Sequence, residues 1–232
     1  SLGGLCGGIL FLVSTRLSAL LELNSIPFAA GVLITVSILG LMPEAVEIGG
    51  KVAYLTLLVS FFAAYFFEQL VIQLHHHDHD EHEFRGSVAM VILGDTILNF
   101  IDGATIGASF LVSPGLGFIT ALSTFLHEIP HEIGDFGILV KAKWDKPKVI
   151  FVNVLSSLAT VVAALLVYYI NIDQKLIGTL LAVSAGVFLY LGASDFLPHI
   201  SEYKENSRVK ALVPLVLGVL VMSAVLLFVP HG

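Results

Sequence analysis

Long apolar segments, each of about 20 residues, follow one another along the chain with short polar loops between them. Hydrophobic residues make up 56% of the sequence and charged residues only 12%, whereas soluble domains are about a quarter charged. A helix needs about 20 apolar residues to cross a bilayer. These features predict an all-α integral membrane protein, with residues 1–232 forming a single bundle of eight transmembrane helices.

The boundaries of these helices follow from the polar and Gly/Pro-containing links. Residues 24–27 predict a tight turn between the first two spans, because Pro27 suits the first position of a helix. Residues 113–115 predict a second tight turn, before the fifth span. The predicted spans are residues 2–23, 28–46, 52–74, 87–112, 116–140, 149–170, 175–199 and 211–229.

Basic residues are distributed unequally between the two sides of this arrangement. Nine of the 11 lysines and arginines fall on the side that carries residues 75–84, and only Lys51 and Lys175 fall on the other. Basic residues favour the cytoplasmic side of a membrane. We therefore expect residues 75–84 to be cytoplasmic and both termini to be extracellular or periplasmic, in a multi-pass protein of the plasma or inner membrane.

The sequence also excludes several kinds of site. Cys6 is the only cysteine, which rules out an intrachain disulfide and a cysteine-based zinc site. No basic patch is large enough to indicate nucleic-acid binding.

The fifth predicted span contains a cluster of ionisable side chains within residues 127–135 (HEIPHEIGD). They are spaced so that all of them project from one side of a helix. Pro130 predicts a kink within the cluster, because proline cannot donate a backbone hydrogen bond. Imidazole and carboxylate groups together suit zinc, and also iron, manganese or nickel. The clustered residues are His127, Glu128, His131, Glu132 and Asp135.

The fourth predicted span supplies polar residues that can meet this cluster. Asn99 and Asp102 lie about one helical turn apart, with Asp95 further back on the helix. The tight turn at Pro114 makes the two spans antiparallel neighbours, and small residues from position 103 to 109 favour close helix packing. A carboxylate within a membrane is a candidate functional site. The two spans together predict a polynuclear metal site.

Two other interpretations of the cluster are less favoured. A buried network of ion pairs is disfavoured, because no lysine or arginine other than Arg16 lies in the middle of a predicted span. An intramembrane zinc metalloprotease is the second alternative, since residues 127–131 fit the HExxH pattern, with Glu128 as general base between two histidine ligands. Pro130 lies between those ligands and would distort the helical turn that aligns them, which favours transport over proteolysis.

Several segments resemble the signatures of the ZIP (Zrt/Irt-like) family of divalent metal transporters. The sequences NFIDG at residues 99–103 and HEIPHE at 127–132 resemble the paired motifs of the family's fourth and fifth helices. Residues 41–44 resemble its second helix and residues 188–198 its seventh. The resemblance covers essentially the whole chain. It implies a transporter rather than an enzyme, a homodimer in the lipid bilayer, and movement of divalent metal into the cytoplasm.

The resemblance implies a metal site between the fourth and fifth helices. No resident cofactor is expected; Zn²⁺ is the expected transported ion, with Fe²⁺, Mn²⁺ or Cd²⁺ as alternatives. The expected metal ligands are Asn99, Asp102, His127, Glu128, His131, Glu132 and Asn153. Candidate pathway residues outside this set are Glu44, Asp95, Asp195 and His199.

Three positions depart from the family pattern. Leu98 occupies the place of a histidine that usually precedes the asparagine of the fourth helix, and Gly40 stands where many members have a ligand. His199 replaces a frequent glutamate. Without the first histidine, the side of the site nearer His127 is expected to be depleted, so one or two bound metal ions remain alternatives.

Residues 75–84 form a predicted His-rich loop, with five histidines and four acidic residues at positions 75–83. Imidazole groups bind zinc while they are neutral, so such a loop would bind the metal loosely and lose it as the pH falls. Weak metal binding and a solvated linker are both open interpretations. The histidines are His75, His76, His77, His79 and His82.

Overall fold

The computed structural model describes residues 8–9, 15–76, 81–170, 172–201, 203 and 205–230. Within its helices, the side chains of residues 15–22, 71–76, 81–87, 89–90, 141, 201 and 205–208 are not described. Residues 2–7 and 10–14 of the first predicted span, residues 2–23, therefore lie outside the described residues.

The described part of the chain is helical and contains no strand. Two short π-helical segments continue into α-helices without a break, one near the start of the chain and one near its end. The elements are α1 (Thr15–Thr35), π1 (Val36–Leu41), α2 (Met42–Gly49), α3 (Val52–His76), α4 (Glu81–Val112), α5 (Pro114–Lys141), α6 (Lys146–Tyr169), α7 (Gln174–Tyr190), π2 (Leu191–Phe196), α8 (Leu197–Ser201) and α9 (Glu205–Phe228).

The turn predicted at residues 24–27 is wrong. Helix α1 continues through this segment, with Pro27 inside the helix. Proline removes one backbone hydrogen bond, but a break in the helix would leave more backbone groups without partners in apolar surroundings. The predicted boundary between the first two spans is therefore replaced by one helix that runs on from Thr15.

The helices extend further into the His-rich segment than predicted. Helix α3 ends at His76 rather than at residue 74, and α4 begins at Glu81 rather than at residue 87. Acidic residues favour the first turn of a helix because they face its positive end, and Glu81 and Glu83 occupy that turn of α4. His77 and His79 lie outside the described residues, whereas His82 belongs to α4.

Six segments of the described chain are long and apolar enough to cross a membrane. This finding supports the prediction of a membrane protein with several spanning helices. Helix α5 is not one of the six, and the polar cluster interrupts its apolar sequence. The six segments are Leu23–Gly49, Val52–Leu70, Val91–Val112, Lys146–Tyr169, Gln174–Ile200 and Val209–Phe228.

The helices pack in two main groups. Helix α4 packs along α6 and α5, whereas α7 packs along α3 and α2; α1 lies between α9 and α5. Two glycines bring α4 and α6 together: a Cβ atom added to Gly103 would lie 2.1 Å from the Thr160 carbonyl oxygen, and one on Gly107 would lie 2.7 Å from that of Ala164. The predicted close packing of this small-residue face is confirmed, and its partner is α6.

Candidate metal site

Helices α4 and α5 bring an acid and an imidazole into contact inside the bundle. The Oδ2 atom of Asp102 lies 3.3 Å from Nε2 of His127. Both residues are buried, with 3% and 2% of their surface exposed. The turn at residue 113 explains the contact, because Ser113 caps α5 through a 3.1 Å hydrogen bond from the Leu116 N–H and sends α5 back along α4.

The orientation of His127 is suited to metal binding. Its Nδ1 atom lies 3.0 Å from the Ser123 carbonyl oxygen, and because a carbonyl only accepts, Nδ1 carries the proton. In the neutral ring, Nε2 then presents its lone pair towards Asp102. A carbonyl bound to the other ring nitrogen is the kind of partner that commonly orients metal-ligating histidines. Two ligands each about 2.1 Å from a tetrahedral zinc ion are about 3.4 Å apart. The observed 3.3 Å separation matches that spacing.

Asn99 is held in place by hydrogen bonds from two directions. The Thr160 hydroxyl on α6 donates to its Oδ1 atom at 2.7 Å, while its Nδ2 group donates to the Asp95 carboxylate at 2.9 Å and to the Asp95 carbonyl at 3.1 Å. An amide oxygen has two lone pairs. Oδ1 can therefore accept from Thr160 and still bind a metal ion.

Two further predicted ligands present buried atoms that have no hydrogen-bond partner among the described residues. These atoms are Nε2 of His131 and Oε2 of Glu132. The other carboxylate oxygen of Glu132 accepts from the Ser157 hydroxyl at 3.4 Å, and the residue is 1% exposed. Buried polar atoms are normally paired, so these two are the kind of atom that a metal ion would satisfy.

Helix α6 forms a polar wall of the site that the sequence interpretation recognised only in part. Asn153 is buried, and its Nδ2 group donates to the Val149 carbonyl of the same helix at 2.8 Å. Ser156 hydrogen-bonds with Thr96 of α4 at 3.1 Å. The sequence does contain a sign of this wall, since polar residues recur three or four positions apart in an otherwise apolar span. The buried polar residues of α6 are Asn153, Ser156, Ser157 and Thr160.

The predicted ligands are neighbours, but they do not form a complete coordination shell. Glu128 is buried on α5 with 4% of its surface exposed. The ring centroids of His127 and His131 are 6.1 Å apart. In the described part of the chain, no three His, Cys, Asp or Glu side chains are close enough together to hold a metal ion. The contact between Asp102 and His127 thus joins two candidate ligands and does not form a closed site.

A cavity of about 640 Å³ lies between α3 and α7 on one side and α4 and α5 on the other. Most of its wall is apolar. His131 lines it, and four acidic residues reach it from four elements of the fold. The described residues around it lie towards the end of the bundle at which α3 ends and α4 begins. The acidic residues are Glu68, Asp95, Asp135 and Asp195.

Glu68 and Asp135 were not among the predicted pathway residues, although both stand out as acids within apolar helices. Glu68 accepts a short hydrogen bond from the Tyr190 hydroxyl, which joins α3 to α7. Asp195, which was predicted, lies in π2 and lines the same cavity. The charge of Glu68 near the end of a span could have indicated a functional residue. Its partner Tyr190 could not be found in this way, because it is 122 residues away in sequence.

The remaining predicted positions are distributed over several elements of the fold. Leu98 lines the cavity, whereas a Cβ atom on Gly40 would lie 3.2 Å from Leu226 Cδ2, so that position packs against α9. Glu44 is half-buried on α2, and His199 on α8 has its ring 6.1 Å from that of Tyr203. The side chains of His75, His76 and His82 are not described.

The chain resembles known zinc transporters over much of its length. The family described as ZIP zinc transporter matches residues 73–226, more than half of the chain. The chain belongs to the ZIP zinc transporter family. The predicted resemblance is therefore confirmed. Because the ZIP family is one of transporters, the prediction that the chain is not an enzyme is confirmed at family level, and the metalloprotease alternative is set aside.

Individual relatives agree with this assignment. The zinc transporter foi of Drosophila melanogaster is 37% identical over 124 residues, which are 53% of this chain and 18% of that protein. Human zinc transporter ZIP4 is 36% identical over 109 residues, 47% of this chain and 17% of that protein. Mouse zinc transporter ZIP13 is 35% identical over 142 residues, 60% of this chain and 39% of that protein. The matched ZIP segment spans less than half the length of these relatives.

Proposed function

We propose that this chain moves a divalent metal ion, principally zinc, across a membrane through a site between α4 and α5. The observation that carries the proposal is the buried contact between Asp102 and His127, at a separation that suits two zinc ligands. The unpartnered Nε2 atom of His131 and Oε2 atom of Glu132 support it. Asn99, Glu128 and Asn153 complete the proposed ligand set, which closes around the ion when it binds.

The cavity supports a route of release from this site. His131 lines it near the proposed ligands, and Asp95, Asp135, Glu68 and Asp195 provide further carboxylates along its wall. A transport path requires ligands that bind a metal ion and then pass it on, rather than one closed cage. The ion would leave towards the end of the bundle that carries the His-rich segment.

We infer the direction of transport from the basic residues. Nine of the 11 lysines and arginines belong to the side that carries the His-rich segment, and this favours a cytoplasmic position for that side. The proposal accordingly includes a His-rich cytoplasmic loop, a C-terminus on the outside, and uptake into the cytoplasm. The cavity between the two helix groups is consistent with movement of one group against the other, within a homodimer.

Zinc uptake into proteoliposomes tests the proposed site. The purified protein would be reconstituted into liposomes that enclose a zinc-sensitive dye. The initial rate of zinc uptake would be measured for the wild type, Asp102→Asn and His131→Ala. We expect both variants to lose most of the uptake, because one removes the negative charge of a proposed ligand and the other removes an imidazole from the proposed path. Asp145→Asn is the matched control: Asp145 is exposed, and its side chain makes no hydrogen bond that caps α6.

The decisive comparison is between the two Asp→Asn variants. Equal protein incorporation and equal helical content would show that Asp102→Asn is folded. Wild-type uptake by folded Asp102→Asn would refute the proposed site. Absence of zinc, iron, manganese and cadmium uptake by the wild type itself would refute the transport proposal as a whole.

A further inference from the structure

The link between α5 and α6 concentrates positive charge at one end of the bundle. Residues 141–148 contain four of the chain's 11 lysines and arginines and a single acid, Asp145, although the chain as a whole has a net charge of −7. Of these lysines, Lys143, Lys146 and Lys148 are exposed. Such a surface is complementary to anions rather than to the divalent cations that the proposed site would carry.

A tryptophan sits at the centre of this basic link. Trp144 is half-buried and packs on the apolar cluster that includes Val88, Leu139 and Val149. The Lys148 ammonium lies 3.7 Å from the centroid of its ring, which is a cation–π contact. Tryptophan is enriched at the level of lipid headgroups, where one side of the ring meets hydrocarbon and the other meets water.

The backbone of the link holds these side chains in place. The Lys143 N–H donates to the Val140 carbonyl at 2.9 Å, and the Trp144 N–H donates to the Leu139 carbonyl at 3.2 Å. Lys143 itself adopts a φ of 59°, in the left-handed region that non-glycine residues rarely occupy. The lysines are therefore presented by an ordered turn, which lowers the entropy cost of binding a ligand.

The position of the link identifies the anion. The apolar segment Lys146–Tyr169 begins within it, so the lysines lie at the boundary between hydrocarbon and water. The phosphates of the lipid headgroups are concentrated at that level. We propose that Lys143, Lys146 and Lys148, arranged around Trp144, bind the phosphate-bearing headgroup of an anionic phospholipid. This inference goes beyond metal transport and does not depend on it.

Trp144 also provides the test, because it is the only tryptophan in the chain. The protein would be reconstituted in phosphatidylcholine containing a minor fraction of phosphatidylglycerol with brominated chains, which quench tryptophan on contact. The reciprocal mixture would carry the bromine on the phosphatidylcholine. The ratio of quenching in the two mixtures gives the preference for the anionic lipid at Trp144. We expect a preference of about fivefold or more, since each nearby lysine attracts anionic lipid.

Three variants separate a lipid site from other causes. The triple change of Lys143, Lys146 and Lys148 to Gln should abolish the preference, whereas the triple change to Arg should keep it. The double change of Lys51 and Lys175 to Gln removes basic residues elsewhere and should have no effect. The fluorescence of each variant in brominated lipid is divided by its own fluorescence in lipid without bromine. A change in Trp144 emission caused by loss of the Lys148–Trp144 contact is thereby cancelled.

The outcomes are distinct. Equal quenching by brominated anionic and zwitterionic lipid in the wild type would overturn the proposal, as would an undiminished preference in a triple Gln variant whose helical content is unchanged. If inorganic phosphate at physiological concentration abolished the preference, the ligand would be free phosphate rather than a lipid. Preference that survives phosphate, is lost on Lys→Gln and is kept on Lys→Arg would establish the lipid site.

Discussion

Replacement of Gly103 by alanine tests whether the contact between α4 and α6 positions the proposed ligands. A Cβ atom at this position would lie 2.1 Å from the Thr160 carbonyl oxygen and 2.8 Å from its Cα atom. The obstacle is backbone, which cannot rotate away as a side chain can. The two helices must therefore separate by about 1 Å or more to restore a normal contact distance.

The separation would act directly on Asn99, because the same Thr160 donates to it. The bond between Thr160 Oγ1 and Asn99 Oδ1 is 2.7 Å long, and a shift of about 1 Å would take it beyond hydrogen-bonding distance. Overpacking costs about 1–3 kcal/mol and an unsatisfied buried group about 1–3 kcal/mol, while alanine regains roughly 0.5–1 kcal/mol of helix propensity over glycine. We expect a net destabilisation of about 2–4 kcal/mol.

Gly134→Ala is the matched control for this change. Gly134 lies on α5 close to the proposed ligands, but no atom lies within 4 Å of a Cβ atom built there. Thermal unfolding in detergent and zinc uptake in proteoliposomes would be measured for both variants. We expect Gly103→Ala to unfold at a lower temperature and to lose about 10- to 100-fold in apparent zinc affinity, as when an outer partner of a metal ligand is removed. Gly134→Ala should match or slightly exceed the wild type in stability.

Two results would refute this reasoning. If Gly103→Ala had the thermal stability and zinc affinity of Gly134→Ala, the α4–α6 contact would not be as close as described, and Thr160 would not position Asn99. Loss of uptake with unchanged stability would also contradict the calculated overpacking, because both effects arise from the same displacement.

Three further predictions concern the site and the topology. Thr160→Val keeps the shape of the side chain but removes the donor to Asn99, so apparent zinc affinity should fall about 10-fold or more with little change in helix packing; unchanged affinity would contradict the role of this hydrogen bond. Leu98→His adds an imidazole to the cavity wall and should raise uptake at low zinc concentrations, whereas no increase would show that this position is remote from the path. In a cysteine-free background, single cysteines at Lys51 and Lys143 should react with a membrane-impermeant reagent from opposite sides; reaction of both from one side would contradict the proposed topology.

The cluster on α5 and its pairing with α4 could be predicted because they depend on local features of the sequence. Regular spacing sets which side of a helix His127 and Glu128 share. The turn before Pro114 joins α4 directly to α5 and makes them neighbours over their length. The contact between Asp102 and His127 follows from these two facts, and it needed no knowledge of the other helices.

The turn predicted at residues 24–27 is wrong because the surroundings of this segment differ from water. Asn24, Ser25 and Pro27 favour a turn where water can bind the backbone groups that a turn exposes. Within an apolar bundle those groups would lack partners, so the helix that keeps most of its hydrogen bonds is preferred in spite of the proline. Local preference was a poor guide here because it describes the chain in water.

By itself, the sequence determined that this is a helical membrane protein of the ZIP family, and which polar residues α4 and α5 turn towards each other. Only the tertiary structure decided that the small-residue face of α4 packs on α6, that Thr160 and Ser157 support Asn99 and Glu132, and that a cavity separates α3 from α5. Apolar helices gain no hydrophobic energy by choosing one apolar neighbour over another in lipid. Their partners are chosen by shape and by a few hydrogen bonds, and these exist only once all the helices are packed.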